Sequence, residues 1–119
     1  MTAAQFRKIA LSLPGAVEAS HMGHPDFRAN GKVFATLGNP AQNLGMVKLP
    51  LDRQKELLQT DPAAFYPATG AWGRAGCTMV RLECADEEKL GEALTAAWQV
   101  VRSKASAENR ENPSFSQQQ

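Results

Sequence analysis

Asp26-Phe27-Arg28-Ala29-Asn30-Gly31-Lys32-Val33-Phe34-Ala35-Thr36-Leu37 is two short apolar-rich arms joined by Asn-Gly. That dipeptide favours a two-residue type I′ turn, because both central residues of the turn need positive φ. The arms are therefore expected to be antiparallel strands, Asp26 to Ala29 and Val33 to Leu37. In the second arm the alternation puts Val33, Ala35 and Leu37 on one face and Lys32, Phe34 and Thr36 on the other.

The same period of two continues outward from the hairpin. Upstream, Val17, Ala19 and His21 alternate with Glu18, Ser20 and Met22 until Gly23-His24-Pro25 breaks the run. Downstream, Gly38-Asn39-Pro40 leads through a looser connection to a strand from Leu44 to Leu49. Cys77 to Cys84 is expected to be a further strand, with Val80, Leu82 and Cys84 on one face and Met79, Arg81 and Glu83 on the other. Between them, Tyr66 to Gly76 holds Pro67, three glycines, Trp72 and Arg74, and reads as a structured loop.

Helices flank this meander. Thr2-Ala3-Ala4-Gln5 matches a capping box, and Phe6, Ile9, Ala10 and Leu13 follow at helical spacing until Pro14-Gly15. Pro50 suits the start of a second helix, Leu51 to Gln59, and Asp61-Pro62 restarts a short helical turn near Phe65. The last helix is expected from about Asp86 to Ser103. Its acids crowd the N-terminal end and its bases the C-terminal end, as the helix dipole prefers. Leu90, Ala93, Leu94, Ala97, Trp98 and Val101 form its buried stripe. The expected class is α+β: an antiparallel β-sheet meander flanked by N- and C-terminal helices. One domain spans 1–104, and Ala105 to Gln119 forms a flexible polar tail.

A chain of 119 residues fits one core, and its 43% apolar and 21% charged fractions are ordinary globular values. Thirteen basic residues against twelve acidic ones leave a formal charge of +1. Any nucleic-acid role must therefore come from a local patch. Cys77 and Cys84 are about 23 Å apart on an extended strand at roughly 3.3 Å per residue, too far for a bridge. Free thiols, no signal peptide and no run of about 20 apolar residues point to a reducing, bacterial-type cytoplasm and away from the membrane.

Chemistry-bearing residues are few. His21, His24 and Asp26 form the densest polar cluster, but their spacing matches no zinc signature, so no metal and no cofactor is expected. Neither the serines nor the cysteines stand beside a base in a nucleophile motif. Gly70-Ala71-Trp72-Gly73-Arg74-Ala75-Gly76 precedes a strand and lacks the Gly-Lys-Ser/Thr ending of a phosphate loop. No catalytic residue is assigned. The basic residues Arg28, Lys32, Lys48, Arg74 and Arg81 lie on strands or adjoining loops, with Phe34 and Trp72 interleaved. On one uncovered sheet face they would neutralise phosphates while aromatics stack on bases. Against this, charged residues on the solvent side of a half-buried sheet are commonplace.

Several of these segments together resemble the MmcQ/YjbR family. They are Leu13-Pro14-Gly15, Gly23-His24-Pro25-Asp26-Phe27-Arg28, Gly31-Lys32-Val33-Phe34-Ala35 and Lys48-Leu49-Pro50, followed by a Trp/Gly loop, a Val80-Arg81-Leu82 strand and a closing helix. The likeness covers roughly residues 4 to 104. It implies an α+β fold of the CyaY-like or secretion-chaperone-like kind and a non-enzymatic DNA-binding role. The pattern departs where many members carry a His-Met/Phe-Asn-Lys run: this chain has Ala71-Trp72-Gly73-Arg74, with Arg74 in place of the Lys. The CyaY likeness also suggests iron binding through acids at Asp86 to Glu92, although helix capping accounts for acids there more simply. Two expectations follow. One is DNA binding through Arg28, Lys32, Lys48, Arg74 and Arg81. The other is a small-ligand- or protein-binding module whose site is walled by His21, His24, Asp26 and Trp72. The oligomeric state is not legible.

Overall fold

In the computed structural model, residues 1–38 and 42–111 are described, with side chains as far as Arg102. The elements are α1 (Ala3–Ser12), β1 (Val17–His21), β2 (His24–Ala29), β3 (Lys32–Leu37), β4 (Leu44–Lys48), α2 (Leu51–Thr60), β5 (Phe65–Pro67), α3 (Ala71–Arg74), β6 (Cys77–Arg81) and α4 (Glu87–Glu111). The six strands make one antiparallel sheet in the order β1-β2-β3-β4-β6-β5. This is the expected α+β class.

Local chemistry explains most of these boundaries. Gln5 N–H donates to Thr2 Oγ1 at 3.1 Å, and Thr2 N–H donates to Gln5 Oε1 at 2.8 Å, closing the capping box of α1. Asn30 and Gly31 take φ of 54° and 77°, as the type I′ turn requires. Asp86 caps α4 by accepting the Lys89 N–H at 2.7 Å.

The helices α1, α2 and α4 bury their stripes on one sheet face. Phe6, Ala10, Leu57, Leu90, Leu94 and Val101 meet Phe27, Leu37, Val47, Phe65 and Val80 in one core. Phe6, Phe27, Phe34 and Phe65 are fully buried, and each contributes about 1.5–3 kcal/mol of burial. Phe6 also stacks at a tilt on Phe27, 5.8 Å between ring centroids. A Cβ at Gly45 would stand 2.8 Å from the Phe6 ring, so α1 lies this close only over a glycine.

The structure departs from the expected elements in five places. The register shifts between Phe27 and Arg28, so that Phe27 opposes Ala35 while Arg28 opposes Val33. Phe34 is the extra residue of this β-bulge, and both it and Ala35 are buried in the core. The expected alternation, which put Phe34 on the opposite face from Ala35, breaks there. β2 begins at His24 and includes Pro25, upstream of the expected Asp26. The supposed loop from Tyr66 contains most of β5 and the one-turn α3. β6 ends at Arg81, and Leu82 to Cys84 form a turn; both cysteines are free, as expected. Finally, α4 continues to Glu111, into the stretch expected as a tail from Ala105. The remainder of that tail, 112–119, lies outside the described residues, as does part of the Gly38-Asn39-Pro40 connection. Among the described residues, no helix is long and apolar enough to cross a membrane.

Candidate functional site

Strand pairing decides which side chains share the face that the helices leave uncovered. Ala19 opposes Asp26, Asp26 opposes Thr36, Thr36 opposes Met46, Met46 opposes Met79, and Met79 opposes Tyr66. Directly paired residues point to the same side of a sheet, so this row crosses all six strands. Thr36, Met46, Met79 and Tyr66 are half-buried in it. Flanking positions of the same parity are Val17, Arg28 and Val33 on one side of the row, and Leu44 and Arg81 on the other. Lys48 and Cys77 oppose each other one step along β4 and β6.

Three of the five predicted cations therefore share the open face: Arg28, Lys48 and Arg81. Arg81 is held in place. Its Nη1 donates to the Ala63 carbonyl oxygen at 3.1 Å, and its guanidinium carbon lies 4.2 Å from the centre of the Tyr66 ring. The pair offers a cation stacked on an aromatic plane. Lys32 opposes Ala29, which belongs to the core, so it has the parity of the helix-covered face. Arg74 sits on α3, in the connection between β5 and β6, and is exposed. Neither joins the other three.

Among the described residues, the only carboxylate with open-face parity is Asp26, and it is fully buried. Arg28 Nε donates to Asp26 Oδ1 at 2.8 Å, and Arg28 Nη2 donates to Oδ2 at 3.0 Å. His21 Nδ1 lies 2.7 Å from Oδ2. An ionised carboxylate only accepts, so this ring nitrogen carries the proton. The Arg28 hydrogen bonds, with the His21 bond after them, outweigh the opposing cost of burial and hold the Asp26 carboxyl down at about 2. The acid is thus neutralised within the sheet and does not repel an anion at the surface.

Several other carboxylates lie on the helical side. Glu18 opposes core-facing Phe27 and is bonded by Arg7 of α1 at 2.8 Å. Glu56, Glu87, Glu88 and Glu92 line a cleft of about 790 Å³ among α1, α2 and α4. Arg53 and Lys89 line the same cleft, so charges of both signs meet there.

The histidines fall into place differently. Met22 and Gly23, with φ of 51° and 80°, form a two-residue turn that makes His21 and His24 direct partners. Both line a depression of about 440 Å³ with Thr36 and Gln42. Trp72, the remaining member of the expected ligand wall, is 69% exposed and lies on α3, in the connection between β5 and β6, whereas the histidines lie on β1 and β2 at the other end of the strand order. The structure brings His21, His24 and Asp26 together and leaves Trp72 apart.

Sequence reasoning missed Tyr66, Met46 and Met79, which form the middle of the open face. The Met46 and Met79 positions were legible as alternation, but their alignment depends on β4 pairing directly with β6, although α2, β5 and α3 separate the two in sequence. It also missed Gln54. This side chain is buried and donates from Nε2 to the Gly73 carbonyl oxygen at 2.9 Å and to Thr78 Oγ1 at 3.1 Å, tying α2 to α3 and β6.

Comparison with known proteins agrees with this architecture. Residues 11–100 match the protein-family model described as YjbR. No curated protein matches the chain. Among solved structures, protein DR2400 of Deinococcus radiodurans, with a DUF419 domain, is similar at a TM-score of 0.75 and 22% identity, over 92% of this chain and 86% of that one. That likeness shows the fold.

Proposed function

We propose, for a chain that belongs to the YjbR family, a non-enzymatic role in which the open sheet face binds DNA weakly and without sequence preference. The observation that carries this reading is the charge layout of that face: Lys48 and Arg81 stand on it while Asp26, its one carboxylate among the described residues, is buried and neutralised by Arg28. Lys and Arg neutralise phosphates, and the Tyr66 ring with Met46 and Met79 supplies a sequence-tolerant surface for bases. An open sheet face suits an extended single strand better than a duplex groove.

A binding rather than catalytic role is favoured by the state of the thiol on this face. Cys77 is buried, and loss of solvent pushes its pKa up, which keeps it protonated and unreactive. Free cysteines also suit a cytoplasmic location.

Fluorescence anisotropy with labelled single-stranded and duplex DNA at low salt tests the proposal. With two or three phosphate contacts, the logarithm of affinity for single strands should fall against the logarithm of salt with a slope of about −1.5 to −2. Arg81→Ala and Lys48→Ala should each weaken binding, and Lys55→Ala on α2 should not. Absence of micromolar binding to either DNA form, or equal loss with Lys55→Ala, would end the reading.

A further inference from the structure

We propose that His21 and His24 are the protein ligands of a divalent transition-metal site at the tip of the β1–β2 hairpin, with Asp26 as the group that positions His21. This inference does not depend on DNA binding.

Three observations lead to it. First, the Met22-Gly23 turn makes the two histidines direct cross-strand partners. Such partners present their side chains on one face, with Cα atoms about 5.5 Å apart in a hydrogen-bonded pair. Both rings border the same depression, so the face is shared. Second, His21 gives its Nδ1 proton to Asp26, which leaves the Nε2 lone pair as its free coordinating atom. A carboxylate behind a histidine is the arrangement that fixes the ring and raises its basicity at metal centres. Third, that carboxylate is itself fixed: Asp26 is fully buried and held twice by Arg28, while the His21 side chain remains 49% exposed. The ring is thus anchored on one side and open on the other.

Two imidazoles without a thiolate suit Cu(II), Ni(II) or Zn(II). Among the described residues, no group of three or more His, Cys, Asp or Glu side chains converges to hold a metal ion. The protein would therefore contribute two ligands, leaving the other positions to water or to a molecule the metal recruits. The occupant is an exchangeable ion on an exposed turn, not a structural metal.

The chain has only two histidines, so every imidazole signal of a tag-free protein reports on this site. The test is titration of full-length, tag-free Cys84→Ser protein with NiCl2, ZnCl2 and CuCl2, followed by calorimetry and imidazole NMR. Removal of Cys84 takes away the exposed thiol as a competing ligand. Both imidazoles should respond together and saturate at one equivalent. His21→Gln and His24→Gln, both substitutions of exposed residues, should each lower affinity by at least about tenfold. Asp26→Asn should lower it by about 10–100-fold, and should also change the His21 tautomer signature in the metal-free protein. The site is overturned if one imidazole alone responds, if His24→Gln leaves affinity unchanged, or if no metal perturbs either ring in excess.

Discussion

Arg28 grips Asp26 through two N–H···O bonds, Nε to Oδ1 at 2.8 Å and Nη2 to Oδ2 at 3.0 Å, between residues two apart on the same strand. Residues i and i+2 share a face of a strand, so the contact is geometrically natural. The consequence for the open face is that Arg28 answers an internal carboxylate, and Lys48 and Arg81 are left to meet an external anion.

The pair carries no net charge. Replacing both partners by neutral isosteres, Asp26→Asn with Arg28→Gln, should therefore leave the salt slope of DNA binding unchanged. Lys48→Ala should reduce the single-strand slope by about 0.7. Anisotropy titrations across a salt series compare the two directly.

Asp26 also predicts an acid-side loss of stability. Its carboxyl is held at about 2 in the folded chain, below its ordinary value of 3.8. A group with a depressed folded pKa binds fewer protons folded than unfolded, so its stabilisation is complete above about 3.8 and is lost as pH falls towards 2. Urea melts across that window should show the wild type losing stability more steeply than Asp26→Asn. Equal slopes would mean that the carboxylate is not held as described.

Gln54 is the only described link by side-chain hydrogen bonds between α2 and the β6 region. Gln54→Ala removes the buried amide that donates to the Gly73 carbonyl oxygen and Thr78 Oγ1, at a cost of about 1–3 kcal/mol for the lost bonds. Gln59→Ala, exposed on the same helix, should stay within about 0.5 kcal/mol. Paired urea denaturation curves are the check.

Two glycines should respond with opposite sign. A Cβ at Gly73 would fall 2.0 Å from the Ala68 carbonyl oxygen, a backbone atom that cannot step aside. Gly73→Ala should lower the melting temperature sharply or prevent folding. Gly91, inside α4, has nothing within 4 Å of the same position. Gly91→Ala should raise stability by about 0.5–1 kcal/mol through helix propensity. Thermal melts of both variants decide the point.

Much of the fold was legible because it is written in short-range chemistry. The capping box at Thr2 and Gln5, the Asn30-Gly31 turn and the stripe of α4 each need only neighbours within a few residues. The family resemblance, carried by motifs from Leu13 to Leu82, agrees with the match over residues 11–100. β5 escaped notice because a three-residue strand with Pro67 has no periodicity of its own and exists only through pairing with β6. Of the candidate site, the polar group at His21, His24 and Asp26 could be seen as a cluster. Which of its members is buried could not.

From the chain alone came the class of elements, their order and the identity of the cations, since propensity, capping and turn geometry act along the backbone. Tertiary pairing decided the rest. A single bulged residue moved Phe34 into the core, and the strand order placed Lys48 and Arg81 on a face from which Lys32 and Arg74 are missing. The physical reason is that side-chain direction in a sheet has a period of two, so one inserted residue reverses every assignment beyond it. No count along a lone strand reveals that insertion, because a bulge is a relation between two strands.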